Sequence, residues 1–173
     1  MPTLRPLASL VALVLLPLLA ACGGGGGSGG GVLPPPSDPG TMSSAELAYA
    51  QEVLRLVNVE RANNGLSALQ WHEQASQVAY AHDVDMDVRN FFSHINPSGQ
   101  DPLDRVVAAG ITGFSSVGEN IARGQSSPAE VMSAWMNSTG HRANILNSGY
   151  THLGVGVHAA GDIWWTQVFL GLR

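Results

Sequence analysis

Residues 152–170 restrict the fold more than any other stretch. Leu153, Val155 and Val157 alternate with His152, Gly154, Gly156 and His158, which is the two-residue period of a strand. Ala159 to Asp162 supplies a turn, and Ile163-Trp164-Trp165-Thr166-Gln167-Val168-Phe169-Leu170 returns as a second strand. The expected hairpin has one bare face, because Gly154 and Gly156 leave room for another element to approach closely. The aromatics of the returning strand are expected in the core or packed on a face. These glycines are not a dinucleotide fingerprint, since the third glycine is missing and no helix follows.

The chain before the hairpin reads mostly as capped helices. Ser43-Ser44-Ala45-Glu46 is a capping-box signature, and Leu47, Val53, Leu54, Val57 and Ala62 form an apolar stripe that Asn63-Asn64-Gly65 ends. Leu66 to Trp71 is a short extended connection. A second helix runs from His72 or Glu73 to about Arg89, with Ala75, Val78, Ala79, His82 and Met86 at helical spacing. That alignment makes His82 a core residue rather than a site residue. Asp101 and Pro102 open a short third helix, which Gly110 ends. Val117 to Ala122 reads as a strand. Ser127-Pro128-Ala129-Glu130 is a further capping box, and its helix carries Val131, Met132 and Trp135 inward.

Three polar islands interrupt this pattern: Phe91-Phe92-Ser93-His94, Gly118-Glu119-Asn120-Ile121-Ala122, and Trp135 through Leu146. Two buried aromatics would fix the first, leaving His94 as a site residue or as a loop histidine bonded to backbone. Glu119 lies among small and apolar neighbours, where a carboxylate needs a partner. It is a backbone acceptor, a ligand, a base or a group that orients a histidine. Gly140 is expected to reverse the chain, so that His141 projects from a turn. Arg142 and Asn144 read as structural donors to carbonyls. His94, Glu119 and His141 are expected to meet in one cleft.

Several chemistries are excluded. No Gly-x-Ser-x-Gly elbow occurs, and Ser93 and His94 are adjacent, so in extended backbone their side chains point apart. His72-Glu73 could open a zinc-protease helix, but Ser76 stands where the second histidine is needed. The charge of -5 and the scattered Lys and Arg offer no basic stripe for nucleic acid.

The N-terminal segment is a processing signal. Leu7 to Ala21 is an apolar run of 15 residues behind Arg5, shorter than a membrane span. Residues 1–21 therefore read as a signal peptide. Leu19-Ala20-Ala21-Cys22 resembles the bacterial lipobox, which implies that Cys22 is lipidated and anchors the protein in a membrane. Cys22 is the only cysteine, so it forms no internal disulfide. Residues 22–41 are a Gly- and Pro-rich tether, and residues 42–173 form the folded domain.

Over nearly all of Met42 to Phe169 the sequence resembles the bacterial branch of the CAP superfamily, also called SCP-like (cysteine-rich secretory proteins, antigen 5 and pathogenesis-related 1 proteins). The resemblance rests on Leu56-Val57-Asn58 with Glu60-Arg61, and on Ser93-His94 with Pro97 and Gly99. It also rests on Gly118 to Ala122, Trp135 to Leu146, Gly154 to Val157, and Trp165-Thr166-Gln167 with Phe169. It implies an α+β, three-layer α-β-α sandwich around a small antiparallel sheet. It also implies a cleft holding two histidines, matched by His94 and His141, and two acids. Glu119 matches the first acid; Ser138 stands where the second is expected.

The resulting expectation is an envelope protein facing the extracytoplasmic side, with the outer membrane suited in a Gram-negative cell because Gly23, not Asp, follows Cys22. The expected function is a ligand-binding module for a metal such as Zn, a lipid or sterol, or a wall component. The alternative is a metal-assisted hydrolase or protease, with Glu119 as base and His94 and His141 holding the ion.

Overall fold

The computed structural model describes Pro36 and residues 39–173. The expected signal peptide, Cys22 and most of the tether lie outside the described residues. Among the described residues, no helix is long and apolar enough to cross a membrane.

Helix α1 spans Ser44–Asn63, strand β1 Gln70–Trp71, helix α2 Glu73–Val88, helix α3 Pro102–Ala108 and strand β2 Phe114–Arg123. Helices α4 (Pro128–Met136) and α5 (Thr139–Ile145) follow, then strands β3 (His152–Ala160) and β4 (Asp162–Leu172). The sheet order is β1-β3-β4-β2. Strand β4 pairs antiparallel with both β3 and β2, while β1 pairs parallel with β3. The sheet is therefore mixed rather than wholly antiparallel. Its short edge strand lies between α1 and α2, whose packing sets its direction; no hairpin joins it to β3.

Strand alternation divides the core into two faces. Leu153, Val155, Val157, Trp165 and Phe169 pack with Ala50, Val53 and Val57 of α1 and with Trp135 of α4 and Ile145 of α5. Val168 and Leu170 pack on the opposite face with Ala75, Val78 and Ala79 of α2 and Val106 of α3. The result is three layers, α1/α4/α5, sheet and α2/α3. The bare glycine face receives α2. A Cβ on Gly154 would lie 2.2 Å from backbone atoms of Ala75 and Ser76, and one on Gly156 would lie 2.3 Å from the backbone of Tyr80.

The caps follow the sequence with one exception. Ser43 with Glu46, and Asp101 with Asp104, form reciprocal capping boxes. Ser127 caps α4 by accepting from the Glu130 amide. The Glu130 carboxylate, however, accepts from Ser126, whose N–H and hydroxyl lie at 2.8 and 2.9 Å. Ser126 offers two donors where the cap residue offers one, so that box stays open.

Four expectations are corrected. Ala62 is exposed, and the buried stripe of α1 ends on Arg61. The Arg61 side chain donates to the carbonyls of Ser67, Ile145, Asn147 and Tyr150, which satisfies its burial. Phe92 is 52% exposed, so of the two aromatics only Phe91 is an inward anchor, packing beside Met86 and Trp164. Gly140 does not reverse the chain but lies in the first turn of α5. The break comes at Ser138, whose extended backbone (φ -100, ψ 124) follows the helical C-cap Asn137. One extended residue is enough to end α4 and start α5. His141 therefore projects from a helix, not from a turn.

Candidate functional site

Glu119 is the centre of the polar cluster. It sits on β2 with Val117 and Ile121 on the same side, turned to the α2/α3 layer by strand alternation. Its side chain is 1% exposed, and both carboxylate oxygens are taken. His94 Nδ1–H donates to Oε1 at 2.8 Å, and Arg105 Nη2 donates to Oε2 at 2.7 Å. Arg105 also donates through Nη1 to the carbonyls of His94 and Gln100, at 3.0 and 2.9 Å. One guanidinium thus fixes both the carboxylate and the loop that carries its histidine partner. Of the alternatives for Glu119, the geometry is that of a group orienting a histidine.

His82 lies closer to this cluster than its place on the apolar face suggests. Its Nε2 is 4.0 Å from Glu119 Oε1 and donates to the Ser93 carbonyl at 3.0 Å. It therefore holds the backbone next to His94. Helical spacing carries no trace of this, because His82 shares its periodicity with Val78 and Met86. Arg105 was equally invisible as a site residue, since nothing local ties an arginine on α3 to a carboxylate on β2.

The opposite face of β2 receives α5. Asn120 is buried and donates from Nδ2 to the His141 carbonyl at 3.1 Å and to Gln167 Oε1 at 2.9 Å. Asn144 donates to the Glu119 carbonyl at 3.0 Å and to Asn120 Oδ1 at 2.9 Å, as expected of a structural donor. Gly118 completes the triplet, because a Cβ there would lie 2.2 Å from the Tyr150 hydroxyl. The Gly-Glu-Asn order is thus a packing requirement on one face and an ion-pair position on the other.

The structure brings His94 and Glu119 into direct contact, with the His94 ring half exposed. They line a concavity of about 310 Å³ with Asp101, Pro102, Leu103, Val117 and Gly118. His141 is half-buried, and neither it nor Ser138 lines that concavity. His141 is nevertheless an electrostatic neighbour of His94. Burial first, and then His94, hold its pKa below the usual imidazole value. Ser138 is the N-cap residue of α5 but makes no side-chain capping bond. Arg142 is exposed. Among the described residues, no group of three or more His, Cys, Asp or Glu side chains is placed to hold a metal ion.

Two buried groups give the domain opposing pH responses. Burial lowers the His82 pKa to about 4, against the attraction of Glu119 and with the help of Arg105. A folded pKa below the unfolded value gives stability that is present above about pH 6.5 and lost as pH falls toward 4. Asp83 is fully buried and hydrogen-bonded to Thr166, and burial raises its pKa well above the usual value. Its contribution has the other sign and is lost as pH rises above about 4. Asp83→Asn is expected to unmask His82, so that stability falls more steeply with acid than in wild type between pH 6 and pH 4.5. Urea titrations over that range test this, and parallel profiles for the two proteins would refute it.

The family model described as the cysteine-rich secretory protein family, CAP, matches residues 54–169. An uncharacterized protein of Bacillus subtilis strain 168, YkwD, is 47% identical over 128 residues, which cover 74% of this chain and 49% of that protein. An extracellular protein from Bacillus anthracis containing an SCP domain superposes with a TM-score of 0.69 at 35% identity, over 76% of this chain and 44% of that one. An outer surface protein of Borrelia burgdorferi shares the fold with a TM-score of 0.68 at 16% identity, over 77% and 97% of the two chains. The chain spans about half the length of YkwD. The matched residues 54–169 include His82, His94, Arg105, Glu119, Ser138 and His141 and both layers that hold them. The chain belongs to the cysteine-rich secretory protein (CAP) family.

Proposed function

We propose that the domain is a ligand-binding module in which His94 and His141 grasp the ligand and Glu119 orients His94. The observation that carries this reading is the occupancy of Glu119. A general base needs a free oxygen within reach of a water or substrate. Here Oε1 is bonded to His94 and Oε2 to Arg105, in a side chain 1% exposed. The metal-assisted hydrolase reading gives Glu119 that task, and this geometry speaks against it.

A divalent ion such as Zn is one ligand the donor set fits. A carboxylate bonded to Nδ1 of a histidine fixes the ring and leaves Nε2 as the donor, a common arrangement behind metal ligands. The lowered pKa of His141 favours the neutral imidazole that ligation requires. With two imidazoles from this chain, the other positions would go to water or to a group of a lipid or wall component. Zinc titrated into the full chain is expected to bind. His94→Ala and His141→Ala should each weaken it at least about tenfold, and Glu119→Gln by roughly 10- to 100-fold. Zinc affinity unchanged in His141→Ala would sink the two-histidine site. Hydrolysis of peptide or wall material that disappears in a folded Glu119→Gln protein would restore the enzyme reading.

The module is proposed to face the outside of the cell on a membrane anchor at Cys22. Support comes from the Leu19-Ala20-Ala21-Cys22 motif and from the extracellular location of the Bacillus anthracis relative. Cells fed radiolabelled palmitate are expected to label the wild-type chain and not Cys22→Ala. Label retained in Cys22→Ala would rule out that anchor.

A further inference from the structure

Two prolines at the end of the tether reach the folded domain. Pro36 and Pro39 are both half-buried, although a proline-rich run has no core of its own to enter. They line one wall of a groove of about 420 Å³ between α2 and α3. Its floor is Val78 and Ala81 of α2, with Ala108 and Ala109 at the end of α3. It shares no lining residue with the concavity at His94. Gly40, in the left-handed region at φ 71, turns the chain after Pro39, and Met42 then packs against the core on the other face of the sheet.

The spacing of the two prolines agrees with this contact. A proline-rich segment favours the polyproline II conformation, which has three residues per turn. Positions 36 and 39 then share one face, and both prolines reach the groove. The lining suits such an occupant. Ala81, Ala108 and Ala109 leave space for a pyrrolidine ring. The charged side chains are already paired, Arg105 with Glu119 and Asp85 with Arg89, so a neutral segment leaves no charge without a partner. Gln74 and Gln77 are exposed at the rim and carry amide donors. Polyproline II leaves its carbonyls free to accept such donors, and proline has no N–H to desolvate. Proline also loses no side-chain freedom on docking.

We propose that the α2/α3 groove is a docking site for the chain's own proline segment, with Pro36 and Pro39 as the seated residues. Docking there makes the tether leave the domain beside α2 and α3, although it joins α1 in sequence. The site rests neither on the His94–His141 reading nor on lipidation of Cys22.

Backbone NMR on the full chain tests this by comparing wild type with Pro36→Ser/Pro39→Ser and with Pro34→Ser/Pro35→Ser as a control. In wild type the Gly40 and Thr41 amides are expected to be rigid, with order parameters near about 0.85, and to fall below about 0.6 in Pro36→Ser/Pro39→Ser. The Gln77, Ala81 and Ala108 amide peaks should move in that variant and at least about twofold less in the control. Ala108→Lys/Ala109→Lys, at two exposed positions, should loosen Gly40 and Thr41 equally from the groove side with the tether unchanged. Gly40 and Thr41 as mobile in wild type as in the variants, or groove peaks that move no more in Pro36→Ser/Pro39→Ser than in the control, would overturn the proposal. Groove peaks that shift with protein concentration alike in all variants would assign the groove to a second copy of the chain and overturn it too.

Discussion

Arg105→Ala is expected to lower the unfolding free energy by about 3–5 kcal/mol, the usual cost of removing one partner of a buried ion pair. The variant leaves the Glu119 carboxylate buried with His94 as its only charged-capable partner at hydrogen-bond distance. It also removes the Arg105 donor to the His94 carbonyl and one of the two donors to the Gln100 carbonyl. The two losses are separable. Glu119→Gln in the Arg105→Ala background removes the stranded charge, so the double variant should recover part of the loss. The His94 loop should remain loosened, because nothing replaces the two bonds that Arg105 made to it. Thermal unfolding checks the first effect, and hydrogen exchange at residues 93–96 checks the second. A melting temperature unchanged in Arg105→Ala would show that the ion pair does not hold this cluster.

Gly154→Ala should destabilise by about 3 kcal/mol or more, toward the upper end of overpacking costs. The added methyl meets backbone atoms of α2 at 2.2 Å, not the end of a flexible side chain. It can be accommodated only if α2 lifts from the sheet, which would open the packing of Ala75, Val78 and Ala79 against Val168 and Leu170. Gly140→Ala is the matched control. A Cβ there meets nothing within 4 Å, and alanine is the better helix former by up to about 1 kcal/mol. Denaturant midpoints for the two variants should therefore move in opposite directions. A Gly154→Ala protein as stable as wild type would mean that close helix–sheet contact is not what the glycine face is for.

Much of the fold was legible because its signals are local. The capping box at Ser43 and the cap at Asp101 act through amides three residues away. The left-handed glycines Gly65 and Gly110 stop helices at their own positions. The two-residue alternation of 152–170 defines both strands and both faces of the hairpin. Errors came where local signals competed. Ser126 drew off the Glu130 carboxylate from the expected box, and Ser138 turned the chain before Gly140 needed to.

The candidate site divides the same way. Sequence alone singled out His94, Glu119 and His141 as polar residues in apolar or turn-like settings, and the order of their segments pointed to the family. It also determined the hairpin, the helix ends and the bare glycine face. Only the tertiary structure decided which groups Glu119 contacts. Its partner Arg105 lies 14 residues earlier on a different element, and His82 reaches it from a third. Periodicity and capping act between residues a few positions apart along one backbone. An ion pair between α3 and β2 exists only after both have packed on the sheet, so no spacing along the chain records it.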